Sequence, residues 1–62
     1  MKTPYEIALD EAVKESDNLY EIQKRAAEIY ALRFAEWLYE NDLSPFPNNI
    51  KRLLEQFNQP QP

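Results

Sequence analysis

The chain has 62 residues with no cysteine, histidine or glycine, and 11 acidic residues against 7 basic ones give a net charge of −4. This composition excludes disulfides, the usual zinc and haem ligand sets, and glycine-rich phosphate-binding loops. It also argues against sequence-independent binding of DNA or RNA, because phosphate neutralisation dominates that affinity. We therefore expect one small domain, with no metal and no cofactor, that gains stability from close helix packing or from association.

No run of about 18 apolar residues is present, so no segment is expected to span a membrane. The first residues, MKTPYEIALDEAV, carry acids within their apolar run, which a secretory signal peptide would avoid. The absence of cysteine is compatible with the reducing cytoplasm. The expected location is therefore cytoplasmic.

The first predicted helix covers about 4–15. Thr3 with Glu6 forms a capping-box pattern, and Pro4 suits the first helical position. Ile7 falls roughly opposite the apolar stripe, so we expect it to be exposed or to touch a partner. The stripe itself follows the helical spacing i, i+3, i+4, i+7 and consists of Tyr5, Ala8, Leu9, Ala12 and Val13.

A break is predicted at 16–18, because Ser, Asp and Asn favour caps and turns over helix interiors. Asn18 followed by Glu21 is a second capping pattern, which starts the next helix. A single bent helix running through this segment is the alternative. The second helix is predicted over about 19–40 and is much longer than its neighbours.

The second helix carries a broad apolar face that is wide enough to contact two neighbours. These neighbours are the other two helices, or one of them is replaced by a second protomer, so self-association is expected. Arg33 lies within this face and either stacks on Trp37, pairs with Glu36 or Asp42, or anchors an interface. Tyr39 lies outside the face, whose members are Leu19, Ile22, Ala26, Ile29, Tyr30, Phe34, Trp37 and Leu38.

The second helix is expected to end at Asn41 in the left-handed conformation, where glycine usually stands. A rigid loop over 43–47 follows, and its two prolines are expected to direct Phe46 inward. Ser44 could instead cap the third helix, with Pro45 at its first position.

The third helix is predicted over about 46–57, and 58–62 reads as a flexible, proline-broken tail. The fold prediction is therefore all-α, a compact three-helix domain over 1–57 with a long central helix. The core side of the third helix follows helical spacing through Ile50, Leu53, Leu54 and Phe57.

Catalysis is not expected. A serine nucleophile needs an adjacent base, no histidine is present, and Ser44 before a proline is typical of a turn or cap. The carboxylate pairs Glu11–Glu15 and Glu36–Glu40 have i, i+4 spacing and could bind a hard cation or act as an acid–base couple. Solvated helix faces carry the same pattern, and we favour that interpretation.

Direct DNA binding is the alternative function, with the third helix as a recognition helix. Asn48, Asn49, Lys51 and Arg52 match its composition loosely, while the acidic total argues against it.

Protein binding is the favoured function. Tyr30, Phe34 and Trp37 have core spacing, so the candidate contacts are the large residues left outside the apolar stripes, with acids at their border. The predicted partner-binding residues are Ile7, Tyr20, Tyr39, Glu11, Glu15 and Arg33.

The segment FAEWLYENDLSPF at 34–46, with the preceding AAEIYALR, resembles small accessory proteins of bacteriophages and mobile elements. Such proteins often carry an aromatic helix end of this kind, a short loop and a final helix. The likeness covers about a third of the chain and assigns no functional residues. It implies a phage or mobile-element accessory protein, a class that includes inhibitors of bacterial defence such as anti-CRISPR proteins, which act by binding rather than by catalysis. The expected function is therefore inhibition of a host defence protein in the bacterial cytoplasm. A structural, oligomeric phage component is the alternative.

Overall fold

The computed structural model describes residues 1–59, which form three α-helices and contain no strand. Helix α1 spans Pro4–Val13, α2 spans Leu19–Glu40 and α3 spans Ile50–Phe57. The predicted all-α fold with a long central helix is confirmed. Tyr5 contacts Tyr30 and Glu15 contacts Arg25, so α1 and α2 run antiparallel.

The starts of α1 and α2 are capped as the sequence predicts. The Thr3 hydroxyl accepts the Glu6 N–H at 3.3 Å, and the Glu6 carboxylate accepts the Thr3 N–H at 3.1 Å, which completes a capping box. The Thr3 N–H and, at 3.0 Å, the Thr3 hydroxyl both donate to the Glu6 carboxylate, and these two bonds lower the pKa of Glu6. Asn18 caps α2 by accepting the Glu21 N–H at 3.1 Å. The predicted break between α1 and α2 is therefore confirmed, and the alternative of one bent helix is wrong.

The end of α2 differs from the prediction. Asn41 has φ −100°, and the left-handed residue is Asp42 with φ 55°. Asn41 instead donates its side-chain amide to the Trp37 carbonyl at 2.8 Å, and the Leu43 N–H bonds to the Leu38 carbonyl at 2.9 Å. Asp tolerates positive φ better than most residues, so the chain turns without glycine.

The third helix starts at Ile50, later than the predicted start near 46. Asn49 explains the delay, because its side chain accepts the Phe46 N–H at 2.7 Å and donates to the Ser44 carbonyl at 3.1 Å. These bonds hold the segment before α3 as a turn. Phe46 is 57% exposed, so the expectation that the prolines direct it inward is wrong.

The core has two parts. Ala8, Ala12, Ala26 and Ile29 are buried between α1 and α2, where small side chains let the helices approach closely. The second part centres on Phe57 of α3, whose ring lies 5.2–5.5 Å from three rings of α2, those of Tyr30, Phe34 and Trp37. Leu38 and Leu53 are also buried. The two parts are adjacent on α2 and meet at Tyr30, which packs against the first part and contacts Phe57. One continuous face of α2 therefore serves both neighbouring helices, which is why it is broad.

Three residues expected on core faces are exposed. Val13, the last residue of α1, and Leu19, the first of α2, flank the 14–18 connection, and both are exposed. Tyr5 lies at the opposite end of α1 and touches Tyr30 only edge-on.

The predicted tail starts with ordered contacts. The Tyr30 hydroxyl donates to the Asn58 side chain, and the Asn58 N–H bonds to the Leu54 carbonyl at 2.9 Å. The remainder of the predicted tail, 60–62, lies outside the described residues.

Candidate functional site

The predicted apolar contact residues do not form one patch. Tyr20 is 69% exposed and Tyr39 is 88% exposed, but they lie near opposite ends of α2, about 28 Å apart along its axis. Ile7 is half-buried on α1. A single partner surface cannot be centred on all three residues, although Tyr20 and Tyr39 are each accessible.

The predicted charged residues join α1 to α2. The Arg33 guanidinium bonds to the Glu11 carboxylate, rather than to the expected Glu36 or Asp42. Arg25 binds Glu15 at 3.1 Å in the same way. All these side chains are substantially exposed, so each pair contributes at most about 1 kcal/mol. Their main effect is that two acidic and two basic side chains are already paired with each other within the molecule.

A third ion pair lies at the N-terminus. The Lys2 ammonium bonds to the Asp10 carboxylate, and this hydrogen bond, together with the negative charge of Asp10, raises the pKa of Lys2. Asp10, like Glu11 and Glu15, is therefore paired within the molecule. These acids are therefore not free to pair with a partner.

The side of α2 away from the core carries an apolar stripe that the sequence analysis missed. Leu32 is 59% exposed and lies two turns before Tyr39 on the same side of the helix, with exposed Ala35 between them. We call Leu32, Ala35, Glu36 and Tyr39 the outer face of α2. The signal was present in the sequence as i, i+3, i+7 spacing, on the side opposite the broad apolar face.

Unpaired carboxylates border the outer face. None of Glu36, Glu40 and Asp42 lies in an ion pair among residues 1–59. Glu36 and Glu40 are one turn apart, a like-charge spacing that destabilises a helix. The last turn of α2 contains no basic residue, although the helix dipole favours cations there. This end of α2 therefore concentrates uncompensated negative charge beside exposed apolar side chains.

A shallow depression of about 260 Å³ adjoins Leu32 along the border between α1 and α2. Buried Ile29 contributes apolar surface to it, so a partner side chain seated beside Leu32 would find an apolar contact. A second depression, of about 310 Å³, has only polar and charged lining residues. The lining of the first is Glu11, Arg25, Ile29, Leu32, Arg33 and Glu36.

Other expected chemistries find little geometric support. Residues 1–59 contain no group of three or more acidic side chains placed to hold a metal ion. Lys51 and Arg52 are exposed on α3, but the connection over 41–49 is longer than the three- to four-residue turn of a helix-turn-helix. In this part of the chain no helix has the length and apolar character needed to cross a membrane.

No family model, curated protein or solved structure matches this chain. The features of this chain that bear on function are the outer face of α2 and the charges that border it.

Proposed function

We propose that this protein is a non-enzymatic protein-binding module that inhibits a bacterial defence protein, such as a CRISPR effector, in the cytoplasm of the bacterial host. The observation that supports binding is the outer face of α2, where Leu32 and Tyr39 are exposed on a rigid helix. The likeness of FAEWLYENDLSPF to phage accessory proteins supports the class of partner.

The energetics favour a protein partner for this face. Burying one large apolar side chain contributes about 1.5–3 kcal/mol, and tyrosine is enriched among the residues that dominate interfaces. Leu32 and Tyr39 belong to a helix whose opposite side is packed against α1 and α3, so binding requires no refolding. A helix presented in this way loses little conformational entropy on association.

Self-association stays a prediction, and the outer face is a poor place for it. In a two-fold pairing centred between Leu32 and Tyr39, Glu36 of one copy would lie close to Glu36 of the other. Like charges across an interface are repulsive. Sedimentation equilibrium at high micromolar concentration tests the prediction, and a cooperatively folded monomer would contradict it.

A phage-plating assay tests the proposed function. Bacteria that carry an active CRISPR effector and a guide against the phage are transformed with this chain or with an empty vector. Cells without the effector control for toxicity and for infection in general. We expect the chain to raise plating efficiency only in cells that carry the effector, and to co-elute with that effector in size-exclusion chromatography. Equal plating with both plasmids across a panel of CRISPR and other defence systems would contradict the proposal.

A further inference from the structure

We infer that the outer face of α2 binds a basic amphipathic helix of the partner, an inference that rests on the proposed function and names the chemistry of its partner. The first argument is electrostatic. Glu36, Glu40 and Asp42 have no cationic neighbour within ion-pair distance among residues 1–59, and two of them occupy the negative end of the α2 dipole. Lysines or arginines of a partner would relieve this repulsion and would gain from the dipole.

The contrast with α1 makes the arrangement more specific. Asp10 and Glu11 of α1, and Glu15 in the connection that follows it, each bind a basic side chain of this chain. At the C-terminal end of α2, by contrast, Glu36, Glu40 and Asp42 form no ion pair among residues 1–59, and they lie close to exposed Tyr39. Local electrostatic conflict of this kind is expected where a structure is adapted for binding.

The second argument is geometric. Leu32 and Tyr39 lie about 10 Å apart along one side of α2, which is two helical turns. A helix packed alongside presents apolar residues at the same interval, and its flanking positions lie beside the acids that border the stripe. The depression next to Leu32, about 260 Å³ in volume, offers room for an apolar side chain from such a helix.

A second copy of this chain is the competing occupant, and charge argues against it. The outer face carries Glu36 and is bordered by Glu40 and Asp42. The two arginines of the adjoining depression, Arg25 and Arg33, are already paired with acids of this chain. A basic amphipathic helix would bury the apolar stripe and pair with the acids. A second copy of this acidic chain would bury the stripe but leave the acids without cations.

The probe is a synthetic helical peptide of leucine, alanine and lysine, with leucines along one stripe and lysines along its borders. It is titrated into the ¹⁵N-labelled full chain and followed by amide chemical shifts. We expect the shift changes to be confined to residues 32–42 and the depression beside them, and to weaken as salt is raised. Two control peptides separate the contributions: one has glutamate in place of lysine, and the other has the same composition with its leucines scattered around the helix.

Matched variants assign the binding to the outer face. In L32K/Y39K the dissociation constant should rise at least about tenfold, which corresponds to about 1.4 kcal/mol. V13K/L19K introduces the same charge change at exposed apolar positions near the other end of α2 and should bind the peptide as the wild type does. Both variants change exposed residues, so their melting temperatures should remain close to that of the wild type.

Four results would overturn the inference. They are no shift change at millimolar peptide, equal binding of either control peptide, shift changes centred on Tyr20, and shift changes at 32–42 that depend on the chain's own concentration without peptide. The last would identify a second copy as the occupant. If the wild-type chain and L32K/Y39K raise plating efficiency equally in cells that carry the effector, this inference fails while the proposed function stands. If the peptide binds but the chain does not raise plating efficiency, the inference stands and the proposed function fails.

Discussion

Replacing Phe57 with alanine should release α3 from the rest of the molecule. Phe57 is 6% exposed and its ring lies 5.4, 5.2 and 5.5 Å from those of Tyr30, Phe34 and Trp37. Truncating a buried phenylalanine costs about 3–5 kcal/mol. We expect the lower end of this range, because α3 lies at the edge of the fold and can move when the ring is removed.

The loss is large relative to the stability of so short a chain. The free energy of unfolding of small proteins is about 0.05–0.15 kcal/mol per residue, so for the whole domain it is about 3–9 kcal/mol. A loss of about 3 kcal/mol therefore removes between a third and all of that stability. With a urea dependence of about 1 kcal/mol per molar, the unfolding midpoint should fall by about 3 M.

Urea unfolding followed by circular dichroism and by Trp37 fluorescence measures this effect. Trp37 stacks on Phe34 and contacts Phe57, so its emission should already shift in the absence of urea. Gln56→Ala changes the exposed neighbour in the same helix and should alter stability by no more than about 0.5 kcal/mol. A loss below about 1 kcal/mol for Phe57→Ala, with unchanged Trp37 emission, would refute the role given to this ring.

Three further substitutions test local features. Asn18→Ala removes the cap of α2 and should cost about 1 kcal/mol, which lowers the melting temperature by about 4–8 °C. Glu6→Gln should destabilise the protein at neutral pH but not in acid. The pKa of Glu6 is lowered in the folded state, so its contribution is present above the ordinary carboxyl pKa and is lost as pH falls through the folded value. Tyr30→Phe removes the hydroxyl bonded to Asn58 and should cost about 0.5–1.5 kcal/mol.

Each of these has a contradicting outcome. An unchanged melting temperature for Asn18→Ala would show that the cap contributes nothing. Wild type and Glu6→Gln should converge in urea midpoint as pH falls toward 3, and a constant difference would contradict the charge argument. For Tyr30→Phe, faster amide exchange should be confined to the end of α3, and a uniform increase would point to a global effect instead.

Local signals predicted local structure well. Thr3, Glu6 and Asn18 act through side-chain bonds to N–H groups three residues away, so their roles can be read from spacing alone. The start of α3 was misplaced because Asn49 bonds back to Phe46 and Ser44, and this closure competes with helix formation. The pattern of asparagines and prolines is compatible with a helix that starts near 46 and equally with one that starts at Ile50.

Relations across the fold were harder to predict. Arg33 has acids near it in sequence, yet it binds Glu11 of α1, and only the packing of α1 on α2 brings these two side chains together. Leu32 belongs to a short stripe with Tyr39 that is much weaker in the sequence than the broad apolar face on the other side of α2, so its exposure is evident only from the structure. Tyr39 was identified correctly as an exposed residue, and exposure follows directly from its position off that face.

The central claim is that the outer face of α2 is the binding surface. Its most direct test is the phage-plating assay with three forms of the full chain: wild type, L32K/Y39K and V13K/L19K. All three should accumulate to equal levels in the cell and have similar melting temperatures. We expect wild type and V13K/L19K to protect the phage and L32K/Y39K to give no protection. Protection by L32K/Y39K equal to that of the wild type would show that the outer face is not the binding surface.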